Sequence, residues 1–157
     1  MSTIRRAEKK DTKEILELLV QVDLVHHDKR PDLFKGPATK YLENELHEIF
    51  EDDQRPVFVS VDENDRVQGY AFCMLKQFLN DHVMTDIKTL YIDDLCVYEH
   101  LRGRHIGHQL YEYVLEYAKS IGCYNVTLNV WASNESAIRF YEKCGLVPQK
   151  IGMEKIL

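Results

Sequence analysis

Thr89-Leu-Tyr-Ile-Asp-Asp-Leu-Cys-Val97 and His100-Leu-Arg-Gly-Arg-His-Ile-Gly-His-Gln-Leu110, separated only by Tyr98 and Glu99, decide how this chain folds. The first run is an apolar strand interrupted by two adjacent carboxylates. The second is a turn rich in glycine and arginine that feeds a helix. Ile106, Leu110, Tyr113, Val114, Tyr117, Ala118 and Ile121 recur on one helical face, and Gly122 ends it. A strand, a tight turn and an amphipathic helix in that order make one unit of an α/β fold.

The same reading extends in both directions. Thr3–Arg6 is a short edge strand, and Asp11-Thr-Lys-Glu14 has the form of a capping box opening a helix with Ile15, Leu18, Leu19 and Val22 on its apolar side. Residues 24–40 read as a polar loop, and 38–50 as a second helix. Pro56–Val61 and Val67–Leu75, with Asp62-Glu-Asn-Asp-Arg66 between them, are a hairpin. Beyond Gly122, residues 125–130 are a strand, and Asn134 caps a helix that ends at Cys144 and Gly145. Two short strands near 146–149 and 152–156 close the chain. The order β-α-α-β-β-β-α-β-α-β-β predicts one α/β domain over residues 1–157, its mixed, mostly antiparallel sheet of about six or seven strands flanked by about four helices.

Composition removes several functional classes. The 157 residues carry 20 Lys+Arg against 26 Asp+Glu, a net charge of −6, which argues against a nucleic-acid partner. The 4 cysteines, Cys73, Cys96, Cys123 and Cys144, form no close pair and suit a reduced, cytoplasmic chain. No apolar run is long enough for a membrane span. His100, His105 and His108 lack a partner pair elsewhere, so no metal is expected.

Two segments carry candidate chemistry. Free N–H groups at the start of the helix after Gly103, with Arg102 and Arg104 nearby, can receive a phosphate, although a plain charged turn would look similar. Gly103 and Gly107 would let the backbone approach the anion. Asp93 and Asp94 alternate along a strand, so only one can face a given cleft unless a bulge intervenes. An alkyl ammonium must lose a proton before it attacks an acyl group, and a carboxylate can hold it and accept that proton. A carboxylate that merely reaches water is the plain alternative for either residue.

Tyr91–Val97, Leu101-Arg-Gly-Arg-His-Ile-Gly107 and Asn134-Glu-Ser-Ala-Ile-Arg-Phe-Tyr-Glu-Lys-Cys-Gly145, in this order, resemble the GNAT superfamily of acetyl-CoA-dependent N-acetyltransferases. The resemblance implies that Arg102, Gly103, Arg104, His105, Ile106, Gly107 and His108 wrap the coenzyme A diphosphate. It implies that the backbone of Leu95, Cys96 and Val97 lines the pantetheine arm, with an N–H near Val97 polarising the thioester carbonyl. Asn134 and Ala137 would contact the coenzyme and Tyr141 would act as general acid, with Asp93 or Asp94 as base or ammonium partner. His105 departs from the family pattern, which has glycine there. The expectation is that this position needs only a backbone N–H, not a positive φ.

The implied activity is direct acetyl transfer to a primary amine, a small cationic molecule such as a polyamine, aminoglycoside or amino-acid derivative. A protein N-terminus or lysine as acceptor, and a non-catalytic acyl-CoA-binding module, are the alternatives. The family also suggests a homodimer, and residues 26–34 fall where relatives place the acceptor loop.

Overall fold

The computed structural model describes residues 2–157. Five strands, β1 (Thr3–Arg6), β2 (Val57–Val61), β3 (Val67–Gln77), β4 (Lys88–Val97) and β5 (Asn125–Leu128), form one sheet in the order β1-β2-β3-β4-β5. The first four are mutually antiparallel, and β5 joins β4 in parallel. Four α-helices accompany them: α1 (Thr12–Lys29), α2 (Glu43–Phe50), α3 (Ile106–Ser120) and α4 (Glu135–Lys143).

Alternation along the strands divides the core in two. Val57, Val59, Tyr70 and Phe72 face α1 and α2, burying Ile15, Leu18, Leu46 and Ile49. Phe58, Ala71, Cys73, Leu90 and Ile92 face α3, meeting Ile106, Leu110 and Val114. The period of two on β2 and β3 thus supplies both layers from the same strands. Each fully buried Leu, Ile or Phe contributes roughly 1.5–3 kcal/mol.

One glycine position is set by close approach. A Cβ on Gly69 would lie 2.6 Å from the Cys96 carbonyl oxygen and 3.2 Å from the Val97 Cα. Only glycine lets β3 come this near the end of β4, opposite Val97.

Several expectations are corrected. The sheet has five strands, not six or seven, because no strand forms in residues 146–157 of the described chain. Helix α1 continues through His26 and His27 to Lys29, further than the polar residues suggested. It stops because Arg30 precedes Pro31 and takes a non-helical φ of −136°. Helix α2 begins at Glu43 rather than Ala38. The Leu42 N–H donates to Glu45 Oε1 at 2.8 Å, and Tyr41 instead stacks on Phe72 with ring centroids 5.8 Å apart.

The box expected at Asp11–Glu14 is not formed either. Asp11, 1 % exposed, accepts both Arg5 guanidinium nitrogens at 2.8 and 2.9 Å and the Glu8 N–H at 2.8 Å. Glu14 is engaged elsewhere, accepting the Val67 N–H at 3.1 Å.

Candidate active site

The site begins where the sheet splits. β4 and β5 are paired from Thr89↔Asn125 to Ile92↔Leu128 and no further. From Asp93 to Val97, β4 therefore has a strand on its β3 side only. At the same point the β3 register jumps, with Phe72 opposite Asp94 and Cys73 opposite Ile92. Asp93 is the extra residue of a bulge, the exception that lets neighbouring side chains escape strict alternation.

Both carboxylates are partnered. Tyr70 Oη donates to Asp94 Oδ2 at 2.5 Å, and Lys40 Nζ donates to Asp93 Oδ2 at 2.5 Å. The Asp93 side chain is 14 % exposed and that of Lys40 52 %. Burial raises Asp94 to about 6; the Tyr70 hydrogen bond pulls against this and the Asp93 charge adds to it. For Lys40, burial works against the charged form, but the bond and charge of Asp93 prevail and raise it.

Cys96 lies just beyond. Burial, with the Asp94 charge, pushes its thiol up to about 12, so it remains protonated and is no nucleophile at neutral pH. Gln21 of α1 spans the end of the strand. Its Nε2 donates to the Val97 carbonyl at 3.0 Å and its Oε1 accepts the Glu99 N–H at 3.2 Å.

The turn after β4 presents the expected donors. A single 3-10 turn, Glu99–Leu101, leads to Arg102 in extended conformation, then Gly103 at φ +82°. Helix α3 makes its first internal bond from the Gln109 N–H to the His105 carbonyl at 3.0 Å, which leaves the N–H groups of Ile106, Gly107 and His108 without helical acceptors. Arg102 and Arg104 are exposed and, among the described residues, form no ion pair.

His105 corrects an expectation. It is the N-cap of α3 at φ 63°, ψ 14°, so the position does take the left-handed conformation for which glycine is favoured. Histidine enters that region more readily than most residues but at a cost of roughly 1–2 kcal/mol. Gly107 is helical, and a Cβ there would rest 3.6 Å from the Phe140 ring and 3.7 Å from Val97. At Gly107 the start of α3 meets both α4 and the end of β4.

Helix α4 completes the constellation. Asn134 caps it, its Oδ1 accepting the Ala137 N–H at 3.3 Å. Tyr141 is half-buried with its ring 5.1 Å from Phe140. Burial, followed by the Asp94 charge and the nearby Cys144 and Cys96, holds its phenol well above the usual range. It therefore stays a protonated donor across the working pH range. The charge of Asp94, on the part of β4 that has lost β5, is among the influences on this phenol.

The loop after α1, expected on the acceptor side, folds against the end of that helix. His26 stacks on Phe34 at 4.9 Å, Phe34 meets the Trp131 edge at 5.4 Å, and the Ala38 N–H donates to Asp23 Oδ2 at 3.0 Å. Lys40, Tyr70 and Gln21 escaped the sequence reading. Tyr70 could be found only from the β3–β4 register, which sets it opposite Cys96, and Lys40 lies in a stretch without periodicity. Two surface clefts of about 650 and 590 Å³ both take in Gln68 and Arg104, and the first also reaches Ile106 at the head of α3.

Residues that would hold an acylated coenzyme are therefore present: donors at the head of α3, uncommitted guanidinium groups and an unpaired strand edge. Known proteins point the same way. Residues 22–146 match the model of the acetyltransferase (GNAT) family. A stretch of 68 residues is 37% identical to glucosamine 6-phosphate N-acetyltransferase from Arabidopsis thaliana, covering 43% of this chain and 44% of that protein's length.

The crystal structure of that plant enzyme superposes with a TM-score of 0.72 at 25% identity, over 99% of this chain and 98% of that one. A mutant of the BH1408 protein from Bacillus halodurans superposes at 0.94 with 32% identity, over 99% of both chains. An aminoglycoside N-acetyltransferase solved with CoA shares the fold at a TM-score of 0.76 and 15% identity, over 100% of this chain and 95% of that one. Strand split, turn and family model agree, and the chain belongs to the GNAT family of acetyltransferases.

Proposed function

We propose that this protein moves an acetyl group from acetyl-CoA directly to the primary amine of a small cationic molecule, as a cytoplasmic enzyme. The observation that carries this reading is the loss of the β5 partner immediately after Ile92, where the bulge sets Asp93 and Asp94 within reach of the opened edge. Residues 102–108 would hold the diphosphate through the N–H groups at the head of α3 and the two arginines. The unpaired backbone of residues 95–97 would line the pantetheine arm, and an N–H near Val97 would polarise the thioester carbonyl.

The two carboxylates divide the work on the acceptor. Asp93 already binds an ammonium, that of Lys40, which supports it as the group that receives the acceptor's ammonium. Asp94, with its carboxyl raised to about 6, is largely ionised at neutral pH yet basic enough to take the proton that frees the amine. The nitrogen lone pair then attacks the thioester carbon, the C–S bond breaks as Tyr141 gives its proton to the departing sulfur, and the second proton that the nitrogen sheds on becoming an amide restores the phenol. The relative from Arabidopsis is named for an amino sugar phosphate, so amino sugars belong among the acceptors to be tried.

The test is thiol release from acetyl-CoA with polyamines, aminoglycosides, amino sugars, amino-acid derivatives and a lysine peptide. Release that needs a small amine and falls about 100-fold in Tyr141→Phe supports the reading. Release only with the peptide would assign a macromolecular acceptor. Tight coenzyme binding without turnover on any amine would make the protein an acyl-CoA-binding module.

A further inference from the structure

Among the described residues, Lys40 is the lysine that meets a carboxylate of the opened β4 segment, its Nζ donating to Asp93 Oδ2 at 2.5 Å. The stretch that delivers it is pinned on both sides. The Ala38 N–H donates to Asp23 Oδ2 at 3.0 Å, and the Tyr41 ring stacks on Phe72 with centroids 5.8 Å apart. Thr39 adds a bond from its hydroxyl to the Tyr41 carbonyl at 3.0 Å. The backbone thus holds Lys40 over a strand 53 residues away, and the ammonium sits at the end of a flexible four-carbon stem.

The surroundings of this ammonium are those of an acceptor more than of a structural lysine. Other lysines of the same hairpin are spent on the fold: Lys88 Nζ donates to the Ile121 carbonyl at 3.0 Å, and Lys76 lies 4.0 Å over the Tyr91 ring. In the Lys40–Asp93 pair the carboxylate is the sheltered partner, 14% exposed, and the lysine the open one, 52% exposed. A half-exposed pair is weak, so its ammonium leaves the carboxylate readily. The charge of Asp94 acts on it together with that of Asp93.

We propose that Lys40 is a self-acetylation site: with acetyl-CoA bound and no other amine in place, the chain transfers the acetyl group to its own Lys40 Nζ. The inference rests on the proposed acetyl transfer, because Asp94 and Tyr141 keep the roles given to them there. The Lys40 ammonium loses one proton to Asp94, its lone pair attacks the thioester carbon, and the C–S bond breaks once the N–C bond has formed. Sulfur leaves with the Tyr141 proton, and the second proton shed by nitrogen restores the phenol. The products are one acetyl-lysine, one free thiol and a proton that Asp94 passes to water. A tethered amine in the acceptor's place reacts as if at very high concentration, so a swing of the stem replaces a diffusing substrate. The reaction runs once per chain, since acetyl-lysine has neither a free amine nor the charge that Asp93 binds. Asp93 is then vacant for an incoming cation.

The test incubates the full chain with acetyl-CoA, without added amine, and locates acetyl groups by peptide mass spectrometry. The expected result is one acetyl group per chain, at Lys40, formed at a rate per chain that does not change with protein concentration. Lys40→Arg should take up none, and Tyr141→Phe should slow the reaction about 100-fold. Wild type pre-incubated in this way should approach the KM of Lys40→Met for a cationic amine. Acetyl groups spread over exposed lysines such as Lys119 and Lys143, at equal rates in wild type and Tyr141→Phe, would be plain chemical acetylation and overturn the proposal. A rate per chain that rises with protein concentration would overturn it as well, since the acceptor would then belong to another molecule. Turnover of a small amine while Lys40 stays unmodified overturns this inference alone, whereas no turnover and no modification removes the proposed function with it. Lys40 acetylated while no added amine reacts would keep this inference and remove the small-molecule acceptor.

Discussion

The two halves of β4 have similar apolar content and opposite duties. Residues 89–92 are sandwiched between β3 and β5, with Leu90 and Ile92 in the core below α3. Residues 93–97 keep β3 but lose β5, and polar groups gather there: Tyr70 on Asp94, Lys40 on Asp93, Gln21 on Val97. Local sequence does not explain the contrast, since both halves are flanked by good strand formers. What separates them is one extra residue at the bulge and the shortness of β5. A strand with both edges filled is structure; the same strand with one edge vacant becomes a place for another chain of atoms to bind.

Converting the chemistry of the second half to mere structure should have the largest effect. Asp94→Asn keeps a partner for the Tyr70 hydroxyl but cannot accept the acceptor's proton, so turnover should fall about 10²–10⁴-fold. The sign for stability is opposite. The Asp94 carboxyl is raised by folding, so its ionisation weakens the fold as pH climbs from about 4 through about 6, and Asn should raise the urea midpoint at pH 8. Wild-type turnover should decline below pH of about 6 as Asp94 protonates. A variant that is both inactive and less stable would show that Asp94 is part of the scaffold instead.

Closing the other edge of the same segment should cost stability. Gly69→Ala puts a methyl against the Cys96 carbonyl, and β3 must move away from β4; a loss of about 1–3 kcal/mol by denaturant titration is expected. Relieving the turn should help by about 1 kcal/mol. His105→Gly removes a left-handed side chain, and calorimetry with CoA should show binding at least as tight as wild type. Weaker binding would assign the imidazole a direct part in holding the coenzyme.

The smallest effect is expected at Lys40. Lys40→Met vacates Asp93, so KM for a cationic amine should drop several-fold with kcat nearly unchanged. A raised KM would mean that Lys40 recognises the acceptor.

Elements with strong periodicity were legible in the sequence. The apolar face of α3, the alternation of β2 and β3, the Asn134 cap and the glycine turn all appear where patterning places them. The bulge was legible only as a condition: adjacent carboxylates require one if both are to serve, and nothing in Ile92-Asp-Asp-Leu95 demands it. Lys40 was invisible because its role depends on a loop folding over a strand 53 residues away. His105 misled because a histidine gives no outward sign of a left-handed backbone, whereas a glycine would have. The terminal segments show the converse failure: they were read as two short strands, and none forms there, because strand pairing is not a local property.

The amide of Gln21 has a consequence for the order of events. It grips the last carbonyl of β4 and the first N–H of the turn proposed to hold the coenzyme, while its own helix ends in the loop that carries Lys40. On the proposed reading, a coenzyme that shifts the turn tugs on the helix beside the proposed amine site. The two substrates should arrive in a preferred sequence, and Gln21→Leu should turn an ordered initial-rate pattern into a random one.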